Sequence, residues 1–249
     1  MKNKTVIEIC CGSAADVFAA KEGGADRVEL CSALFLGGLT PSIGQVQVSK
    51  NAGIEIMAML RPRQGGFCYS DLEFETILMD ARAILDAGAD GLVFGILSPD
   101  GTVDAERCER LIKIADKKPC MFHRAIDVVP DWKAALETVC DLGFTRILTS
   151  GRAPKATDGV DVIREMKTRA RGRVEILPGG GVTLANAREI IELTGCDQIH
   201  ASMSAKRRDN SAAANPAIQF CGAEPPASDV YSASDAEAIR ELSRSIADE

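Results

Sequence analysis

The stretch "EGGADRVELC" (residues 22–31) closes an amphipathic segment with two glycines, passes through Ala25-Asp26 and breaks into a short β-rich run. The same order returns in "AGADGLVFGIL" (87–97), "DLGFTRILTSG" (141–151) and "LTGCDQIHAS" (193–202). A glycine just past a helix supplies a left-handed cap, and the apolar run behind it is the next strand. Strands alternating with helical segments argue βαβ units and a parallel sheet.

Working outward from these four units, strands are expected at 5–11, 27–31, 55–61, 91–97, 119–124, 146–150, 174–178 and 198–202. Helical stretches lie between them near 13–23, 41–52, 70–87, 104–117, 131–142, 158–170 and 183–194. Start signals include Thr40-Pro41, Ser70-Asp71 followed by Glu73, and Thr183 after a run of glycines. Residues 205–233, rich in Ala, Ser and Pro, show no clean period and read as a long, mobile loop. A final helix is expected over 234–247, with Ser234 and Glu237 as a capping box and Ile239, Leu242 and Ile246 as its apolar stripe. Eight strands, each followed by a helix, make an α/β protein of the (β/α)8 TIM-barrel class, with residues 1–249 as a single domain. A chain of 249 residues suits one such barrel. "CCGSAAD" (10–16) is not the GxGxxG of a doubly wound sheet, so no nucleotide cofactor is expected.

The net charge of −7 argues against nucleic acid or an anionic membrane as a partner, since both attract a basic face. No apolar run approaches the ~18 residues of a membrane span, and no secretory leader is evident. Nine cysteines stand scattered without a CxxC pair, which reads as reduced thiols in the cytoplasm.

In a barrel of this kind the chemistry collects at the C-terminal ends of the strands. Side chains alternate along a strand, so Glu8 and Cys10 share one face while Cys11 faces the other way. The neighbouring cysteines therefore cannot clamp one ion. Strand two repeats the arrangement with Glu29 and Cys31, strand three ends with Arg61 and Arg63, and strand five ends "FHRAID", with His123, Arg124 and Asp127. His200 ends strand eight. Glu8, Glu29, His123, Asp127 and His200 are the candidate acid–base groups, the histidines being expected to titrate near neutral pH. Arg61, Arg63 and Arg124 are candidate anion ligands, joined by the hydroxyls of Thr149 and Ser150 and by the loop Gly179, Gly180, Gly181, where backbone N–H groups can meet a phosphate. Read singly, each charged group also suits an ion pair that closes the barrel. No lysine lies within a strand, which disfavours a Schiff-base aldolase. Cys10 and Cys31, on adjacent strands and at matching depth, either fill the barrel or share a soft ion such as Cu(I).

Taken in order, "IEICCGS", "GGADRVELCSAL", "GGLTPS", "MLRPR", "GADGLVFGIL", "FHRAID", "LTSG" and "LPGGGV" resemble the CutC copper-homeostasis family across about residues 5–205. The resemblance implies a cytoplasmic (β/α)8 barrel, a homodimer or higher homo-oligomer, that binds Cu(I) through the thiols matching Cys10 and Cys31. It departs from the family at "IHASMSAKRR", where a basic residue expected near His200 is displaced, and at Phe35 and Leu36, which make the mouth loop more apolar. The carboxylates, arginines and glycine loop suggest a second possibility, a barrel enzyme acting on a small anionic or phosphorylated substrate.

Overall fold

A computed structural model of the protein describes residues 4–215, 217–218 and 230–247. Eight parallel strands surround one axis: β1 (Val6–Cys11), β2 (Arg27–Leu30), β3 (Glu55–Met59), β4 (Gly91–Phe94), β5 (Cys120–Phe122), β6 (Arg146–Thr149), β7 (Glu175–Pro178) and β8 (Gln198–Ala201). Neighbours pair in sequence order, β8 pairs with β1, and a single parallel bridge between Gly179 and His200 closes the seam between β7 and β8. Helices α1 (Ala14–Glu22), α2 (Ile43–Ser49), α3 (Asp71–Asp86), α4 (Ala105–Ala115), α5 (Trp132–Leu142), α6 (Val160–Ala170) and α7 (Ala187–Thr194) follow the first seven strands, and α8 (Ala236–Ala247) completes the ring. This is the expected (β/α)8 barrel.

The strands read as near-continuous apolar runs because both of their faces are covered. Outward residues such as Ile9, Cys11, Val28, Leu30, Ile56 and Leu92 form the layer under the helices. Inward residues Cys31, Met57, Met59, Val93, Met121, Leu148 and Leu177, with Cys10 beside them, fill the barrel itself. Sulfur-bearing side chains dominate that filling, and their flexibility and polarizability suit an irregular interior.

Helix starts follow their caps. Ser70 and Glu73 form the expected capping box on α3. On α2 the box is Ser42 with Gln45 rather than Thr40-Pro41, because the Thr40 hydroxyl is taken by the amide of Arg61 (2.9 Å). α7 begins at Ala187 instead of 183: Asn186 folds back to accept the Thr183 amide (2.7 Å), so these residues make a turn ahead of the helix. Asp235, not Ser234, caps α8, receiving the amides of Glu237 and Ala238 (3.0 and 3.2 Å).

The segment read as a loop over 205–233 contains two strands, β9 (Ser204–Arg208) and β10 (Val230–Ser234), paired antiparallel with Ala205 opposite Ala233. Their sequences, "SAKRR" and "VYSAS", are polar on both faces and carry no apolar alternation. The hairpin packs on α1 and is tied to it by the Ser234 amide, which donates to the buried Asp16 carboxylate (2.7 Å). Residues 216 and 219–229 of that reading lie outside the described residues. No helix among the described residues is long and apolar enough to cross a membrane.

Candidate functional site

Register places Glu8 of β1 directly between Arg27 of β2 and His200 of β8. Glu8 is fully buried; Arg27 Nε donates to its Oε2, and Arg27 Nη2 donates to Gln198 Oε1 (2.6 Å). The other Glu8 oxygen lies 2.8 Å from His200 Nδ1. Burial alone would raise the Glu8 carboxyl, but the His200 hydrogen bond and the Arg27 charge outweigh it and bring it down to about 2. Glu8 is therefore an ionised floor beneath the mouth, one layer below where a proton donor would meet a ligand.

Above that floor, His200 Nε2 stands 3.8 Å from Glu29 Oε2, and the Cys10 and Cys31 thiols reach the same oxygen at 3.4 and 3.6 Å. One donor atom each from Cys10, Glu29 and His200 falls within 4.8 Å of the others. The neighbouring Cys31 thiol is the largest influence lowering the Cys10 pKa well below its usual value, against the opposing effect of burial and with His200 adding to the fall. Cys31 is held well up by its interaction with Cys10 and by burial. Burial and the neighbouring Cys10 charge keep the Glu29 carboxyl well above its ordinary range. Burial would depress His200, but hydrogen bonds and charges from Cys10, Glu29 and Glu8 raise it well above 6.5. The two shifts run in opposite directions, Cys10 toward the thiolate and His200 toward the imidazolium. Cys11 faces away and packs in the outer core, where burial pushes its thiol up.

The opposite wall comes from the ends of β3, β5 and β6. His123 Nδ1 accepts the Ala125 amide (3.3 Å), its ring packs on Phe67 with centroids 4.7 Å apart, and its Nε2 is buried without a partner. Burial and then the Arg61 charge lower its pKa to about 3, so His123 is neutral and does not titrate near pH 7 as the sequence suggested. Arg61 donates to the carbonyls of Leu36 (2.9 Å), Gly38 (3.1 Å) and Gly65 (2.7 Å). Asp127 accepts from the Arg124 guanidinium, the Thr149 hydroxyl, the Ser150 amide and the Arg152 amide at 2.5–3.1 Å. A carboxylate so fully engaged positions Arg124 and the β6 loop; it is not free to act as a base.

A cavity of about 520 Å³ joins the two walls, bordered by Cys10, Glu29, Cys31, Arg61, His123, Arg124, Asp127, Gly180, Gly181 and His200. Five proposed site residues are not on it. Glu8 lies beneath. Thr149 and Ser150 are fully buried, and their hydroxyls and amides serve Asp127 and the local turn. Gly179 bridges the seam against His200. Arg63 turns away because β3 ends at Met59 and strand parity does not survive Pro62; it pairs with Glu73 and holds the carbonyls of Gln64, Gly66 and Cys68. The sequence reading missed Arg27, although it shares the parity of Glu29 and Cys31, and missed Phe67, Leu34 and Val128, which come from loops with no period to reveal them.

The model of the CutC family matches residues 5–205. A CutC family protein of Treponema denticola is 56% identical over 92% of this chain and 93% of its own length. The human copper homeostasis protein cutC homolog is 45% identical over 82% of this chain and 76% of its own. Among solved structures, CutC of Streptococcus agalactiae superposes with a TM-score of 0.75 at 35% identity, covering 79% of this chain and 97% of the other. On this match, which spans residues 5–205, the chain belongs to the CutC family.

Proposed function

We propose that this protein serves copper homeostasis in the cytoplasm by holding Cu(I) at the floor of the barrel mouth, between the sulfurs of Cys10 and Cys31 with His200 Nε2 alongside. The observation that carries this reading is the convergence of Cys10, Glu29 and His200 on one point, with the Cys31 thiol on the same carboxylate. The donor set is soft where Cu(I) needs it to be. The His200–Glu8 hydrogen bond also has the form that fixes ligand histidines, one ring nitrogen held by a carboxylate so that the other is aimed at the ion. The relatives named for copper homeostasis support the role. Acid–base catalysis by His123 or Asp127 has less support, since one is neutral and the other fully engaged.

Binding Cu(I) displaces the Cys31 and His200 protons, so affinity rises with pH. An anaerobic titration of the reduced protein against a chromogenic Cu(I) competitor tests the reading. Wild type is expected to bind one equivalent, and Cys10→Ser with Cys31→Ser together to bind none at that affinity. Retention of the tight equivalent by the double variant refutes it.

A further inference from the structure

The cavity is much larger than an ion requires, and its second wall holds a charge the metal cluster does not use. Arg61 is only 7% exposed, yet it forms no ion pair among the described residues. Three carbonyls fix its guanidinium without neutralising it, and its Nε has no acceptor. A buried charge left uncompensated is costly. Arg124, by contrast, is already matched by Asp127 at 2.9 Å. The mouth therefore carries one unmatched positive charge on this side.

Beside it stands a neutral donor. Because His123 Nδ1 accepts the Ala125 amide, the ring proton sits on Nε2, and Nε2 is buried with nothing to donate to. The ring is not free to turn away. Phe67 packs on it, and a side chain at Gly95 would bring a Cβ to 2.6 Å from its Nδ1. Arg61 lies over the same Phe67 ring at 5.4 Å. Leu34, Met59 and Val128 give the adjoining wall an apolar surface.

We propose that the mouth binds a small organic carboxylate, its oxyanion paired with Arg61 and accepting from His123 Nε2, and its body lying against Leu34, Met59 and Val128. The carboxylate is favoured over a phosphate ester because a single unmatched cation faces it. The site occupies the wall of the same cavity opposite the thiol cluster and does not depend on the copper reading.

Metal-free protein is used for the test, with pyruvate and gluconate as carboxylate probes, glycerol 3-phosphate as the phosphate probe, and glycerol and sodium chloride as controls. A carboxylate probe is expected to raise the unfolding midpoint by about 3 °C at ten times its Kd, and Arg61→Gln to abolish the rise. If Arg61→Gln does not fold, long-range proton–nitrogen NMR of wild type supplies the second readout. The His123 Nε2 proton is expected to move downfield and to exchange more slowly as the carboxylate is added. The proposal is overturned if neither carboxylate acts beyond the controls, if glycerol 3-phosphate alone acts, or if His123 is unmoved by a probe that binds.

Discussion

Glu8 satisfies two cations at once, Arg27 from the strand on one side and His200 from the strand on the other, and neither has another carboxylate so close. Glu8→Gln leaves Arg27 buried without a counter-charge and is expected to cost about 3–5 kcal/mol in urea unfolding. In any variant that still folds, loss of the Nδ1 partner should weaken Cu(I) about 10–100-fold. His123 gives a pH prediction. Its folded pKa, about 3, lies below its unfolded value near 6.5, so its contribution is complete above pH 6.5 and is lost as pH falls toward 3. The stability advantage of wild type over His123→Gln should therefore shrink by about 1.4 kcal/mol per unit between pH 6 and pH 4. A flat difference would mean that the ring is charged in the fold. Glu29 acts in the opposite sense, since its raised pKa favours the acidic side, which is why the variant difference and not the wild-type slope is the quantity to measure. Parity along β1 and β2 was enough to single out Glu8, Cys10, Glu29 and Cys31. It could not reveal protonation, because that is set by burial and by partners on other strands.

At the level of elements, the eight strands and the eight helices were legible from local signals: glycine-then-strand units for half of the strands, and an apolar stripe for the last helix. The hairpin was not. Its strands are exposed on most faces, so nothing apolar alternates, and their pairing links residues far apart in sequence. Its anchor is equally non-local: Asp16 takes the Ser234 amide with one oxygen and the Gly12 amide with the other (2.7 and 3.0 Å). Asp16→Ala strands both donors and is expected to cost about 1–3 kcal/mol. Faster amide exchange at Ser234 and along β10, with the β3–β5 core unchanged, would mark the loss as local to the hairpin. The β6 loop shows the same limit. Thr149 and Ser150 looked like ligand contacts at a strand end, and only the fold reveals that Asp127, from the neighbouring strand end, has claimed them.

For the whole molecule, the family match ends at residue 205, yet the barrel wall does not. α8 buries Ile239 and Leu242 completely, and Ile239 sits so close to Gly23 that a Cβ there would stand 2.6 Å away. Removing residues 206–249 strips α1 of this cover. Those two side chains alone represent about 3–6 kcal/mol of burial, comparable with the whole stability of a domain. The truncated chain is expected to lose its cooperative calorimetric transition; an unchanged transition would show that the tail is an appendage. A different consequence follows from the seam. His200 latches the ring of strands through its backbone and lends its imidazole to the thiol cluster. The mouth and the latch are then one device, and filling the cluster should tighten the breathing of the barrel. Occupancy would be legible at a distance, as slowed amide exchange along β7 and β8, without any loop having to move.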